Sequence, residues 1–305
     1  MLATLKQVLS KAQKEKYAVG AFNINNLEIM QAIVNAAAKL KSPVILQTSE
    51  GAIAYAGIKY LKCLVAQAAQ DNKIPMVLHL DHGRNTEIIK EAIKTGYTSI
   101  MYDGSHLPFE ENISNTKKVV SMAHAKGISV EGELGTIGGA EEKIIARKII
   151  YTDPNAAKEF VDRTGVDALA VAIGTSHGAY KFAGAAKLDI KRLGEIRQKV
   201  KVPLVLHGAS GVPDWVVRTA EHYGAKLGKP EGVPDEQIKE AIKNGICKVN
   251  TDTDLRLAFD AGIREFLSKM PEDFDPRHIL GRARELMQEV VEHRIKLFGS
   301  AGKSR

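Results

Sequence analysis

Eight short, continuous β-branched runs recur along the chain, each followed by a stretch with helical amphipathic spacing. The runs lie near Ala18 to Ile24, Pro43 to Thr48, Pro75 to Leu80, Ser99 to Tyr102, Ser129 to Glu133, Ala168 to Ile173, Pro203 to Leu206 and Ile246 to Asn250. Unbroken apolar runs read as strands buried on both faces, and parallel strands need crossover helices between them. The helical patterns include Leu27 to Leu40, Gly57 to Asp71, Thr86 to Lys94, Phe109 to Lys126, Asn155 to Thr164, Ile190 to Val200, Pro213 to His222, Asp235 to Asn244 and Leu255 to Leu267. Eight units close a barrel, whereas a doubly wound sheet more often stops near six strands and carries a glycine-rich turn after the first. Neither GxGxxG nor GxxxxGK[ST] occurs. The reading is an α/β chain forming a single (β/α)8 TIM barrel domain over residues 1–305. Residues 271–305 are read as a C-terminal helical extension that packs on the barrel or meets another subunit.

Composition narrows the function classes. With 44% apolar and 26% charged residues, 26 Gly and 10 Pro, the chain is too apolar to be disordered and has no collagen period. No apolar stretch approaches the ~18 residues of a membrane span, and MLATLKQVLSKAQKEK carries no cleavage-site signature, so the expected location is cytoplasmic, without membrane contact. Cys63 and Cys247 stand alone, which excludes a disulfide framework and a thiolate zinc site. The net charge of +7 comes from Lys and Arg dispersed along helices, matching no nucleic-acid motif. It suits a small anionic substrate such as a sugar phosphate.

In a barrel, the residues that follow each strand share one cup. Here those positions hold Asn23, Ser49, Asp81, His82, Asp103, Glu131, Glu133, His177, His207, Asn250 and Asp252, all polar. Three of the nine histidines, His82, His177 and His207, close strands three, six and seven. Three neutral imidazoles with one open position make a catalytic site for zinc or a similar cation. His79 should face away from His82 and serve the core or orient a ligand.

Asp81, beside His82, is read either as an acid/base or as a carboxylate that orients a histidine. Asp103 and Glu133 form a second cation position, or pair with a lysine such as Lys181 or Lys248. Glu141 and Glu142 follow a Gly pair in GTIGGAEEK, within one of two long insertions, Gly135 to Thr152 and Thr175 to Leu188, read as lids. SHGAYK (176–181), HGASG (207–211) and NTDT (250–253) provide small-residue turns and a helix start, the parts of a phosphate cup. A second anion contact would come from Arg256 or Arg277.

These motifs, VGAFNINN, LHLDHG, SIMYDGS, VEGELGTIGGAEE, AIGTSHGAYK, LHGASG and VNTDTDLRLAF, stand in an order and spacing that resemble the class II, metal-dependent fructose-bisphosphate aldolases and their tagatose-bisphosphate relatives, over nearly the whole chain. The resemblance implies reversible cleavage of fructose 1,6-bisphosphate to dihydroxyacetone phosphate and glyceraldehyde 3-phosphate in glycolysis and gluconeogenesis. It implies catalytic Zn²⁺, replaceable by Co²⁺, on His82, His177 and His207, a second divalent ion at Asp103 and Glu133, and a monovalent Na⁺ or K⁺. Asp81 would handle the C4 hydroxyl proton, and Glu141 would exchange a proton at the dihydroxyacetone-phosphate carbon, with Glu142 as the alternative. Asn250 would bind the ketose oxygens, and Gly178, Lys181, Gly208, Ser210, Asp252 and Thr253 the first phosphate, supported by Asn23 and Ser49. Arg277 would reach the second phosphate, across a subunit interface, in a homodimer or homotetramer. Asp252 and Arg256 favour the fructose branch over the tagatose branch.

Three other readings compete. A Schiff-base aldolase would need a lysine such as Lys248 or Lys201 and would leave the histidines unexplained. A metal-dependent hydrolase usually has an HxH pair after its first strand, which AFNINN lacks. A scaffold would give the polar strand ends no purpose.

Overall fold

The computed structural model describes residues 1–136, 138–141, 144–146, 149–177, 187–228 and 230–304, with 138–141, 144–146 and His177 described through their backbone. In chain order the strands are β1 (Val19–Asn23), β2 (Val44–Thr48), β3 (Met76–Gly83), β4 (Ser99–Tyr102), β5 (Ser129–Leu134), β6 (Gly138–Glu141), β7 (Ile144–Ala146), β8 (Ala168–Val171), β9 (Ser176–His177), β10 (Leu204–Leu206) and β11 (Ile246–Thr251). Eight of them close a parallel ring, β1-β2-β3-β4-β5-β8-β10-β11, and β11 returns to β1 with Lys248 opposite Val19 and Asn250 opposite Ala21. These are the eight runs expected from the sequence. Closure leaves the ring no unpaired edge.

The alternation along each strand sorts the core into two. Outward residues such as Leu46, Leu78, Leu80, Val130 and Val249 pack against the surrounding helices. Inward residues at the lower end, Val19, Ala21, Ile45, Val77, Met101, Ala168, Val205 and Cys247, cluster with Leu5, Val8, Leu9 and Ala12 of the helix Leu5–Glu15. A capping box starts that helix: Thr4 accepts from the Gln7 N–H, and the Gln7 side chain accepts from the Thr4 N–H. The sequence showed this segment only as a charged amphipathic stretch; its apolar face plugs the barrel floor. Each fully buried leucine there contributes about 1.5–3 kcal/mol.

The helix Pro276–Leu297 buries Leu286, Met287, Val290, Val291 and Ile295 against the helices Leu27–Lys39 and Thr253–Lys269. Backbone bonds then tie the tail to the first half of the ring, from Ala18 N–H to Phe298 O (3.0 Å) and from Gly302 N–H to Leu40 O (2.9 Å). The two long insertions contribute strands as well as loops: β6 pairs antiparallel with β7 and parallel with β9, Gly139 lying opposite His177. The insertion after β5 is thus bonded to the strand that carries His177.

Candidate active site

Strand alternation turns His79 and Asp81 inward and would turn His82 away. His82 instead has φ +47°, in the left-handed region, and the β3/β4 register slips between Leu80 and Gly83. A non-glycine residue there costs on the order of 1–3 kcal/mol and persists only where its surroundings enforce it. The result is that two consecutive residues, Asp81 and His82, both face the barrel mouth.

There His82 Nε2 meets His207 Nδ1 at 2.9 Å, with both rings buried. The opposite nitrogen of each ring has a carboxylate: His82 Nδ1 donates to Asp103 Oδ2 at 3.1 Å, and His207 Nε2 donates to Glu131 Oε1 at 2.7 Å. Carboxylates in those positions fix the ring orientations, so that with both imidazoles neutral the two lone pairs would be aimed at one point, as they are around a metal, and without a cation a proton bridges them. Burial opposes charge on His82, yet Asp81, the bond to Asp103 and Glu133 push its pKa up to about 10. The point between the rings is therefore electrostatically prepared for positive charge. Asp81, His82 and His207 also place one ligand atom each within 4.8 Å of one another. A donor set of converging imidazoles fits a borderline divalent cation.

Asp81 is oriented by amides rather than by histidine. Its Oδ2 accepts from Asn23 Nδ2 (3.0 Å) and Gln47 Nε2 (3.2 Å), and its Oδ1 from Asn250 Nδ2 (3.3 Å). Gln47 also donates to Asn23 Oδ1 at 2.6 Å, and Asn250 Nδ2 lies 3.1 Å from His207 Nδ1. Gln47 was missed; the signal was a polar side chain one alternation after the inward Ile45.

Asp103 is more heavily engaged than a cation ligand need be. Besides His82, its Oδ2 accepts from Arg84 Nε (2.9 Å) and Nη2 (2.7 Å), and its Oδ1 from the Ser105 N–H and hydroxyl. Burial alone would raise its pKa, but the bond and charge of His82, with Arg84, hold it well below the usual carboxylate range. Glu133 is pushed the other way, well above that range, by burial and by the Asp103 charge. Glu133 Oε2 is buried without a hydrogen bond, 3.8 Å from His82 Nδ1. This orphaned oxygen is what a second cation would satisfy, and His82, Asp103 and Glu133 place one ligand atom each within 4.8 Å of one another.

Beneath the mouth lies a fully buried polar layer. Lys248 Nζ donates to Glu131 Oε2 (2.7 Å) and lies 3.2 Å from His79 Nε2, while His79 Nδ1 lies 2.8 Å from Ser99 Oγ. Burial, then Lys248, hold the His79 pKa well below its ordinary value, so the ring is neutral and accepts from the lysine. Lys248 thus pairs with Glu131 rather than with Asp103 or Glu133.

The residues expected to form a phosphate cup are described in part. Gly208 sits at φ +60°, and a Cβ there would press to 2.7 Å from Ser176 O, so glycine brings the turn after His207 against the residue preceding His177. The Asp252 N–H donates to Ser210 Oγ at 3.3 Å, Asp252 stands at the N-cap position of the helix that Thr253 begins without a side-chain capping bond, and Arg256 pairs with Asp252 at 2.7 Å. Ser49 acts as an N-cap, accepting from the Ala52 N–H at 3.1 Å and starting a helix, Glu50–Ala56, that the sequence reading lacked. Glu141 and His177 are described by backbone alone; Glu142, Gly178 and Lys181 lie outside the described residues. Arg277 is exposed and bonds to Asp275, sharing no described contact with the other site residues.

The family model described as "Fructose-bisphosphate aldolase class-II" matches residues 3–303. The fructose-bisphosphate aldolase of Thermus caldophilus is 50% identical over 306 residues, covering 100% of both chains. That of Giardia intestinalis is 50% identical over 304 residues, covering 99% of this chain and 94% of its own. The crystal structure of the YdjI aldolase from Escherichia coli K12 superposes with a TM-score of 0.82 at 35% identity, covering 100% of each chain. With a family model spanning residues 3–303 and relatives 50% identical over nearly their whole length, the chain belongs to the class II fructose-bisphosphate aldolase family.

Proposed function

We propose that this chain reversibly cleaves fructose 1,6-bisphosphate between C3 and C4, giving dihydroxyacetone phosphate and glyceraldehyde 3-phosphate. The observation that carries the reading is the convergence of His82 Nε2 and His207 Nδ1 at 2.9 Å beside a carboxylate, Asp81, oriented by three amides. Asp81 takes the C4 hydroxyl proton; the O–H electron pair forms the aldehyde carbonyl, and the C3–C4 pair passes to the ketose half. Held by amide donors on both oxygens, the carboxylate presents a remaining lone pair in a fixed direction, and it returns the proton in the condensation direction. Glu141, or Glu142, exchanges the proton at C3 of the dihydroxyacetone-phosphate half. Asn250 positions the ketose oxygens, Gly208, Ser210, Asp252 and Thr253 hold the first phosphate with Gly178 and Lys181, and Arg277 serves the second.

His82, His207 and His177 would hold Zn²⁺, or Co²⁺ in its place, which supplies Lewis-acid polarisation of the carbonyl when bound. The Schiff-base alternative finds no support in Lys248, which is fully buried and 2.7 Å from Glu131. Exposed Leu267 and Met270, just before the 271–305 extension, and Phe274 within it support a homodimer or homotetramer. A cytoplasmic location accords with the finding that no described helix is long and apolar enough to cross a membrane.

The test is cleavage of fructose and tagatose 1,6-bisphosphates by purified protein, before and after EDTA, with Zn²⁺ restored and borohydride trapping alongside. Fructose cleavage that chelation abolishes, metal restores and borohydride leaves intact is expected. Chelator-resistant cleavage with borohydride inactivation would overturn the metal mechanism, and a tagatose preference would transfer the role of Asp252 and Arg256 to that sugar.

A further inference from the structure

Arg294 is the largest fully buried side chain described, and it belongs to the C-terminal helix, outside the eight barrel units. Its Nε and Nη2 donate to Asp254 Oδ2 at 2.9 and 2.7 Å, and its Nη1 donates to Asp235 Oδ1 at 3.1 Å. Asp254, also fully buried, stands one residue after Thr253. The same carboxylate accepts two backbone N–H groups from the turn that follows His207: Val212 to Oδ1 at 2.8 Å and Gly211 to Oδ2 at 3.2 Å. A chain of contacts therefore runs from the C-terminal helix, through Asp254, to the HGASG turn.

That turn needs holding. Val212 is a β-branched residue at φ +49°, a conformation such side chains avoid. Strained backbone of this kind survives only where its surroundings over-determine it. Here they do so on three sides. Asp254 fixes the Val212 N–H; the Val233 N–H donates to Ser210 O at 3.0 Å, with Gly232 packed on the Gly211 backbone; and the Arg294 guanidinium fills the space where a Gly211 Cβ would stand. Ser210 is in turn joined to the Asp252 N–H. The two halves of the cup, the turn at 208–212 and the helix start at 252–254, are fastened to each other by the Ser210 bond and by the Asp254 carboxylate, which the buried Arg294 guanidinium holds in place.

We propose that Arg294, acting through Asp254, is a positioning residue for phosphate recognition: it sets the 208–212 turn in the geometry that receives the phosphate of dihydroxyacetone phosphate. The proposal rests on the reading above that Gly208, Ser210, Asp252 and Thr253 form the phosphate site. A buried carboxylate left without its arginine retains charge and loses its orientation, and a displacement of about 1 Å in a binding group costs up to about a hundredfold.

The experiment is calorimetric titration of the metal-loaded protein with dihydroxyacetone phosphate, together with steady-state kinetics on fructose 1,6-bisphosphate. The Arg294→Met, Asp254→Asn double variant removes both charges at once, so that neither is left buried alone. Gly211→Ala keeps both charges and displaces the guanidinium by steric overlap. Arg282→Met, on the helix that carries Arg294, cuts a partly exposed pair with Glu265 of the helix Thr253–Lys269 and is the control. Both test variants are expected to raise the dissociation constant about tenfold or more and KM in proportion, with a smaller fall in kcat and an unchanged Co²⁺ absorption spectrum; the control should match wild type. Wild-type affinity in folded test variants would overturn the inference and leave Arg294 a strut of the fold. Wild-type protein that does not bind dihydroxyacetone phosphate would instead overturn the phosphate-site reading beneath it.

Discussion

Glu131 Oε1 lies 2.7 Å from His207 Nε2, and the other oxygen of the same carboxylate lies 2.7 Å from Lys248 Nζ. One buried acid therefore orients a candidate metal ligand and neutralises a lysine in the barrel interior. Glu131→Gln is expected to weaken divalent-cation binding about 10–100-fold, because carboxylates behind a ligating histidine have effects of that size. Competition between the protein and a chelator for Co²⁺ measures it. The same variant leaves Lys248 without its counter-charge, so a loss on the order of 3–5 kcal/mol should appear in denaturant unfolding. Unchanged Co²⁺ affinity would remove Glu131 from the site.

Asp81→Asn keeps the shape of the side chain and loses its capacity to take a proton. A fall in kcat of about 10²–10⁴-fold is expected, the range attributed to a positioned base. Metal content by elemental analysis should stay at the wild-type value, since the amide replaces a group held by Asn23, Gln47 and Asn250 rather than a histidine partner. Loss of the metal together with activity would make Asp81 a ligand.

The two cysteines should separate cleanly by reactivity. Cys63 is exposed; Cys247 is buried in the barrel floor, and its thiol donates to Gly245 O at 3.4 Å. Burial pushes the Cys247 pKa up to about 11, outweighing the Leu204 backbone bond and the Arg197 charge that act in the opposite direction. The raised value favours the thiol, so at pH 8 about a thousandth of Cys247 is thiolate, and its alkylation should rise only as pH approaches 11. Iodoacetamide and intact-mass measurement at pH 8 should give one rapid addition, at Cys63, and a second only in denaturant. Rapid double labelling of the native protein would contradict the packing of the floor.

Leu9→Ala opens a cavity in the helix that plugs that floor. The expected cost is about 2–5 kcal/mol of stability, with kcat at saturating substrate close to wild type, because the helix lies at the opposite end from His82 and His207. Thermal unfolding and the aldolase assay check the two halves of this statement. A collapse in kcat without loss of stability would tie the floor to the chemistry.

The sequence disclosed the ring because burial on both faces leaves an unmistakable trace: all eight runs became ring strands, and the polar strand ends included Asp81, His82, His207 and Asn250. Side-chain direction was less legible. Simple alternation puts His82 outside the mouth, and only the left-handed backbone at His82 brings it in; no local residue type announces such a turn. Gln47 and Arg84 escaped because amides and arginines are common on surfaces, and their roles depend on strands distant in sequence. Lys248 looked like a partner for Asp103 or Glu133, yet its height in the barrel set it opposite Glu131. The N-terminal helix read as amphipathic without a destination, since the groove it fills exists only after the ring closes.

The pairing of β11 with β1 also governs the order in which the molecule is completed. Residue 19 cannot find its partner at residue 248 until more than three-quarters of the polypeptide has been made. At about 5–20 residues per second, synthesis leaves the open edge of β1 waiting for roughly 10–50 seconds. The tail then seals the seam from outside, Phe298 accepting from Ala18. A nascent chain of this design stays vulnerable along that edge until β11 is added, and a chain cut short before β11 keeps that edge open.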